Sequence, residues 1–371
     1  MKKKKLLFLS SIAAPQQIKF CEALQAFFEA QFWFYESAER TRGSWWQIEL
    51  GEHCKILRNV LHPGSGLMQA RYWAPGLTQQ LDAFNPDVVM LGGFSIPSNL
   101  VAYQWARRHG KKTIVFTERS RNSDGVLRKR NFIWRALRWL YRGVDMVMVS
   151  AEDAVSQFRD EFCFGDKVVA GRYASDVDDY FSHPLREAKP AYTYLFANRM
   201  TAIYNPIGAI DIFAETLKRH PGSKLVMNAA GELDQACRSH IGGLGIGDAV
   251  EFLTNLKSWS DLNQVYARCD ILLLPANFSN GNFTILEAMA SGMGVVVSNK
   301  VLGIGKMVQD GSNGFYCEPT SEEFLNRIER YIEQPALLKI HAEINRRLVK
   351  PLSARGTAKF FSNILHEKMG I

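Results

Sequence analysis

The chain of 371 residues is 47% apolar and 22% charged, too long for one compact core of ordinary size and suited to two α/β domains of similar length with a cleft between them. A formal net charge of +8 favours anionic partners such as nucleotides, phosphorylated substrates, nucleic acid or an anionic membrane surface, without choosing among them. No apolar run approaches the ~18 residues of a membrane span, and Cys21, Cys54, Cys163, Cys237, Cys269 and Cys317 show neither a CxxC pair nor metal-ligand spacing, so they read as reduced core residues of a cytoplasmic protein.

The N-terminus, MKKKKLLFLSSIAAP, has the basic start and short apolar run of a signal peptide. The preferred alternative is a first strand over Lys4 to Ser10, a loop, and an amphipathic helix from about Gln17, because a Rossmann-like domain needs such a unit first. Strand-like runs follow at PDVVMLGG, KKTIVFTE, DMVMVSA and KVVAGRY, then at YTYLFAN, SKLVMNAAG, AVEFLTN, DILLLPA and GVVVSN. Strands separated by helix-length segments predict parallel sheets with helices on both faces, and ligands then bind beyond the carboxyl ends of the strands.

Within the first half, NFIWRALRWLYRGV (Asn131 to Val144) places Ile133, Leu137 and Leu140 at helical spacing for a core face. Arg135, Arg138, Arg142, Trp134 and Trp139 fall largely elsewhere, and Arg128, Lys129 and Arg130 lie just upstream. Basic residues mixed with Trp suit a bilayer interface; a solvated helix face is the alternative. From Ala174 to Tyr194 the sequence turns acidic and then carries Pro184 and Pro190, which marks a linker and a boundary near residue 185. Residues 1–185 are therefore expected to form the first domain and 186–352 the second. The segment 353–371, a helix after Pro351, is expected to pack back on the first. No repeats or low-complexity tracts interrupt this order.

The stretch SNGNFTILEAMASGMGVVVSN, Ser279 to Asn299, reads as a polar loop, a short helix ended by Gly292, and a buried strand. Free N–H groups and a partial positive charge at the helix start suit a pyrophosphate. Gly281 lets the backbone approach it, and Asn282 can cap the helix. Glu287 follows about one turn in, its side chain leaning back toward the N-terminus. A carboxylate there repels phosphate but accepts hydrogen bonds from a pair of neighbouring hydroxyls such as those of a ribose, worth roughly 1.5–3 kcal/mol. The alternative is a solvated helix residue near a favourable dipole.

From Asp270 to Pro319 these residues resemble the donor-binding half of GT-B glycosyltransferases, especially glycosyltransferase family 4. The likeness lies in DILLLPANFSNGNFTILEAMASG, then VVVSN, then VQDGSNGFYCEP. It extends more weakly over DMVMVSAEDAVSQF, the Val177-Asp178 turn, Phe181 and ANRMTAIYNPIGAIDIFAETL, and then over SKLVMNAAGEL and VEFLTNLKSWSDLNQVYARCD. The resemblance implies an α/β fold of two Rossmann-like domains facing a cleft, GT-B, with the second binding a UDP- or GDP-linked sugar as co-substrate and no further cofactor. By this likeness Glu287 holds the donor ribose, Gly281, Asn282, Phe283 and Thr284 cradle the diphosphate, and Arg199 binds phosphate as a permanent cation at a strand's carboxyl end. Two positions depart from the family pattern. Its second basic residue falls on Tyr204, and its first glutamate, which contacts the donor sugar, falls on Ser279, with Asn280 beside it.

In the first half, SSIAAPQQ, LGGFSIPS and FTERSRN follow strands and face the acceptor side. Gln16 and Gln17 can bind sugar hydroxyls, Gly92 and Gly93 permit close backbone approach, and Glu118 is expected to be the only carboxylate directly at these strand ends, flanked by Arg119 and Arg121. Glu118 is a candidate catalytic base, or else a structural ion-pair partner. Family 4 enzymes are typically retaining, with the departing phosphate taking the acceptor proton; Glu118 is then an acceptor ligand, whereas an inverting reaction needs it as base. No metal ligand set is read, because Asp176, Asp178 and Asp179 fall in the linker; Arg199, with Lys257 or Lys306, would neutralise the leaving group instead. The implied activity is sugar transfer to a carbohydrate or lipid-linked glycan acceptor for a surface polysaccharide or lipopolysaccharide, at the inner face of the cell membrane, without nucleic acid. A non-catalytic GT-B subunit supporting a partner enzyme is the alternative that Ser279 and Tyr204 motivate.

Overall fold

The structure is a computed structural model that describes residues 2–37, 49–60, 72–120, 132–150, 154–254, 256, 258, 261–279 and 283–371. The described residues before Ser175, together with Ala354–Ile371, form one compact unit, and those of Ser175–Ser353 form the other.

In the first unit the chain runs through Lys5–Ile12 (β1), Pro15–Leu24 (α1), Glu29–Glu36 (β2), Cys54–Ile56 (β3), Leu77–Phe84 (α2), Val88–Gly92 (β4), Pro97–Arg108 (α3), Lys112–Thr117 (β5), Phe132–Leu140 (α4), Met146–Val149 (β6) and Val168–Ala170 (β7). The strands lie in the order β3-β2-β1-β4-β5-β6-β7, each pair parallel. Because side chains alternate across a strand, Leu7 and Leu9 of β1 enter one core with Leu81 and Ala102, while Leu6 and Phe8 enter another with Phe20 and Leu24. That two-sided burial explains why β1 is a near-continuous apolar run.

The second unit contains Thr193–Phe196 (β8), Pro206–Arg219 (α5), Lys224–Asn228 (β9), Asp234–Leu244 (α6), Val250–Leu253 (β10), Asp261–Arg268 (α7), Ile271–Leu274 (β11), Phe283–Ser291 (α8), Gly294–Ser298 (β12), Ile304–Met307 (α9), Phe315–Cys317 (β13), Ser321–Glu333 (α10) and Ala336–Val349 (α11). Its parallel sheet has the order β10-β9-β8-β11-β12-β13. The chain then returns as Ala354–Met369 (α12), which sets Ala358, Phe361 and Leu365 into the Phe8 and Phe20 core of the first unit.

Three features differ from the sequence reading. The division falls between Ala174 and Ser175 rather than near residue 185, because Val177 and Tyr180 pack into the second unit's core. Arg186 is also buried there, with its Nε donating to Cys269 O at 2.8 Å and its Nη1 to Ser291 O at 2.9 Å. Strands β2, β3 and β13 are additional to those the sequence predicts; β2 is aromatic on both faces, sending Phe32 and Phe34 to one core and Trp33 and Tyr35 to the other. In α4 Leu137 and Leu140 pack against the core as expected, but their companion there is Trp134, 8% exposed, whereas Ile133 is 48% exposed. Trp134 stacks on Phe162 with centroids 4.0 Å apart and meets Phe158 edge-on, and this aromatic contact sets the rotation of the helix. Among the described residues no helix is long and apolar enough to cross a membrane.

Candidate active site

In each sheet the strand order reverses once, between β1 and β4 in the first unit and between β8 and β11 in the second. At such a point the loops leaving two adjacent parallel strands diverge to opposite faces and leave a crevice. Gln16, Gln17 and Gly93 follow β1 and β4, while Arg199, Tyr204, Ser279, Phe283, Thr284 and Glu287 follow β8 and β11, so both sets lie on the loops and helices that leave the switch-point strands. Asn280, Gly281 and Asn282 lie outside the described residues, as do Lys257, Arg121 and the run Arg128 to Asn131.

In the second unit the two loops are stitched together. The amides of Asn277 and Phe278, after β11, donate to Ile203 O at 2.8 and 3.1 Å, and Asn277 Nδ2 donates to Ala202 O at 3.0 Å. Asn205 caps α5 through Gly208 N and donates from Nδ2 to Pro275 O. Tyr204 is half-buried against the core. Met200 bonds the loop after β9 through both backbone groups, to Ala230 O and from Leu233 N. Gly231, at φ 147°, is needed there, since a Cβ would lie 2.3 Å from Met200 O. On this fixed loop Arg199 is half-buried, and its guanidinium has no hydrogen bond or ion pair among the described residues.

Ser279 is 4% exposed and continues β11 as a short bridge to Val301, with Leu302 N donating to its carbonyl at 2.9 Å. Phe283 and Thr284 occupy the first turn of α8, half-buried. Glu287 is 7% exposed, more enclosed than a residue on an open cleft wall. The Tyr266 hydroxyl of α7 donates to its Oε2 at 2.5 Å, and Tyr266 meets Tyr180 edge-on at 5.3 Å. Among the described residues Tyr266 is its one hydrogen-bond partner. Burial pushes the Glu287 carboxyl up to about 7; the Tyr266 hydrogen bond works the other way, and the negative charge of Asp176 adds to the rise. Tyr266 is raised in turn, by burial and by the charge of Glu287.

In the first unit Gly93 donates its N–H to Phe116 O at 2.9 Å, and the Asn99 side chain donates to the carbonyls of Gly92 and Gly93. Tyr35 fixes Asn99 by donating to its Oδ1 at 2.9 Å. Gln16 and Gln17 are half-buried at the start of α1, and Gln17 Nε2 donates to Ser10 Oγ at 2.8 Å. Glu118 is exposed and accepts a hydrogen bond from the Tyr173 hydroxyl at 2.7 Å. Its charge, after burial itself, raises the Tyr173 phenol. Glu118 is not alone at these strand ends, since Glu36 closes β2 and accepts from the Tyr72 hydroxyl at 3.0 Å. The correction follows from the unread β2.

Sequence reasoning therefore missed Glu36, Tyr173, Arg172 and the tyrosines around Glu287. A signal was present for two of them: Arg172 and Tyr173 end the run KVVAGRY, beyond the carboxyl end of β7.

Comparison with known proteins adds the following. Residues 19–171 match the family described as glycosyl transferase 4-like domain, and residues 179–348 match glycosyl transferases group 1. An exopolysaccharide phosphotransferase of Streptomyces coelicolor is 31% identical over 137 residues, 36% of this chain and 14% of that protein. The curated relatives are matched over no more than 36% of their own length. Among solved structures, a glycosyltransferase from Rickettsia africae superposes with a TM-score of 0.73 at 16% identity, covering 99% of both chains. HepE of Anabaena, solved in complex with UDP, gives 0.72 at 17% identity, covering 98% of this chain and 100% of that one. At these identities the structural likeness concerns the fold.

Proposed function

We propose that this chain, which belongs to the GT-B glycosyltransferases and resembles their family 4, transfers a sugar from a nucleoside-diphosphate donor to a carbohydrate or lipid-linked glycan acceptor. The observation that carries the reading is the second unit's switch point, where Arg199 follows β8 with no hydrogen bond or ion pair among the described residues, and the first turn of α8 and the buried Glu287 follow β11. A cation and a helix N-terminus complement a diphosphate, and a carboxylate with an open lone pair complements ribose hydroxyls. UDP is the first nucleotide to test, because HepE of Anabaena, a structural relative, is described with UDP; GDP is the second. The co-substrate is the only small molecule the reading requires, with Arg199 and the α8 N-terminus balancing the leaving diphosphate.

The first unit takes the acceptor, with Gln16, Gln17, Gly93 and Glu118 around it. In a retaining transfer Glu118 orients the acceptor hydroxyl, and in an inverting one it removes the proton. A surface glycan assembled at the inner face of the cell membrane is the acceptor class in view. The support for membrane contact is α4, where Phe132, Ile133 and Trp139 are 78%, 48% and 64% exposed, while Arg135 and Arg138 are exposed beside them.

Isothermal titration of UDP and GDP into the intact chain, its Glu287→Ala variant and its Arg199→Ala variant tests the donor half. One nucleotide should bind the parent and lose affinity in both variants; equal affinity in all three proteins rejects the reading. A second reading, a nucleotide- or glycan-binding subunit without activity of its own, is favoured by the buried Ser279 at a sugar-contacting position. Transfer or donor hydrolysis by the isolated chain excludes it.

A further inference from the structure

Tyr266 lies on α7 and Glu287 on α8, two short helices, so the hydrogen bond between them depends on how one helix is set against the other. One side chain holds the C-terminal ends of both. Arg186 is 6% exposed and uses all five N–H donors of its guanidinium. Nε donates to Cys269 O at 2.8 Å, and Nη1 to Ser291 O at 2.9 Å and Pro184 O at 2.6 Å. Nη2 donates to Ser291 Oγ at 3.0 Å and to Tyr266 O. The Ser291 hydroxyl itself donates to Tyr266 O at 3.1 Å.

The last carbonyls of a helix lack a partner within it, and a cation there meets the negative end of the helix dipole. Tyr266 O is such a carbonyl, because the amide that would reach it, Asp270 N, donates to Thr193 O at 2.7 Å instead. The residue whose phenol touches Glu287 is therefore the residue whose main chain Arg186 anchors. The acceptors of Arg186 are four carbonyls and a hydroxyl, so the shape of the two helix ends, and no carboxylate partner, fixes its place. Arg346 of α11 donates to Ala290 O at 3.0 Å and Ser291 O at 3.2 Å, holding α8 without bonding α7 among the described residues.

We propose that Arg186 is a positioning residue of the donor site: by tying the ends of α7 and α8 together it sets the Tyr266 hydroxyl on the Glu287 carboxylate and keeps that carboxylate oriented for ribose. The inference rests on the reading of Glu287 as the ribose ligand. The charged and titratable groups around Glu287 are Tyr266 of α7 and, from the stretch before β8, Asp176 and Tyr180. Arg186, Arg346 and His183 meet the far end of α8. The Tyr266 hydrogen bond favours the ionised carboxylate, against burial and Asp176. Losing that bond moves ionisation to higher pH, and nucleotide affinity, carried by the ionised form, falls at neutral pH.

The test is isothermal titration of UDP and GDP, between pH 6 and pH 8, into the intact chain and its Arg186→Lys, Tyr266→Phe, doubly substituted and Glu287→Ala variants, with thermal unfolding of each. Lysine keeps the charge but has three donors on one atom and cannot span both helix ends. Arg186→Lys and Tyr266→Phe should each weaken binding about tenfold at pH 7 and move the midpoint of its pH dependence upward. The double variant should be no weaker than the weaker single one, since both changes break one contact. No loss in Tyr266→Phe, losses that multiply in the double variant, or an Arg186→Lys protein that melts lower yet keeps the parent's affinity and midpoint overturns the positioning role and spares Glu287. If Arg186→Lys does not fold, Ser291→Ala, which removes the hydroxyl between Arg186 and Tyr266 O, takes its place in the cycle under the same criteria. A parent that binds neither nucleotide, or a Glu287→Ala variant that binds as tightly as the parent, overturns both.

Discussion

Replacing Glu287 by glutamine separates two consequences of its burial that run in opposite directions. The carboxyl is 7% exposed and is pushed from 4.5 up to about 7. A folded-state value above the unfolded one means that the native protein holds the extra proton, so stability falls as pH rises from 4.5 through 7 and is lowest above 7. A rise of that size corresponds to about 3 kcal/mol. Glu287→Gln keeps an oxygen for the Tyr266 hydroxyl and removes the buried charge, so the variant should exceed the parent by up to about 3 kcal/mol at pH 8 and match it near pH 4.5. Nucleotide binding should move the other way, since ribose hydroxyls are held by the ionised form. With ionisation centred near 7, affinity for the nucleotide should drop about tenfold between pH 8 and pH 6, whereas the variant should bind weakly with no such slope beyond that of the nucleotide's own phosphate. Urea unfolding and isothermal titration at pH 5, 6.5 and 8 read both quantities. Equal nucleotide affinity and equal pH slope in the two proteins would refute the assignment of Glu287 as ribose ligand.

Arg199→Ala should cost nucleoside-diphosphate affinity about 1.5–3 kcal/mol, the value of charge-assisted hydrogen bonds, while leaving uridine or guanosine affinity and the melting temperature unchanged; titration with nucleoside and nucleotide separates these. Trp134→Ala should destabilise the first unit by about 3–5 kcal/mol through the cavity it opens beside Phe158 and Phe162, whereas Trp139→Ala should change unfolding by no more than about 0.5 kcal/mol. In vesicle sedimentation the order reverses: Trp139→Ala and the Arg135→Ala, Arg138→Ala pair should release the chain from anionic vesicles, at about 1 kcal/mol per basic residue, and retained binding would remove α4 as the contact. Glu118→Gln should slow transfer with nucleotide affinity intact, measured by product formation and titration on the same preparation.

The continuous unit from β11 through α8 to β12 was legible because strand, turn, helix and strand are consecutive, and each signals itself in neighbouring residues. The same locality supplied most strands of both sheets. Whatever depends on distant segments was not legible. Tyr266 and Glu287 meet only because α7 packs on α8, and Gln17 and Arg172 line one small hollow only because α1 and the residues after β7 come together over the same face of the first sheet. In α4 the spacing places Leu137 and Leu140 against the core as expected, but it does not decide between Ile133 and Trp134, which the rings of Phe158 and Phe162 settle in favour of Trp134. The acidic, proline-containing stretch after Ala174 has the composition of a linker, yet Val177 and Tyr180 bury themselves in the second unit, and composition does not register where two apolar side chains find a home.

The position of α12 has a consequence for biosynthesis. Phe20, Phe32 and Leu24 share their core with Phe361 and Leu365, residues made only after the whole of Ser175–Ser353. At roughly 5–20 residues per second, that interval lasts on the order of ten seconds to half a minute. The second unit's last core residues, Leu338 and Val349, are made only at the end of that interval, and throughout it the first unit waits on the ribosome with an aromatic face that α12 has yet to cover. The half encoded first is thus the half that finishes last.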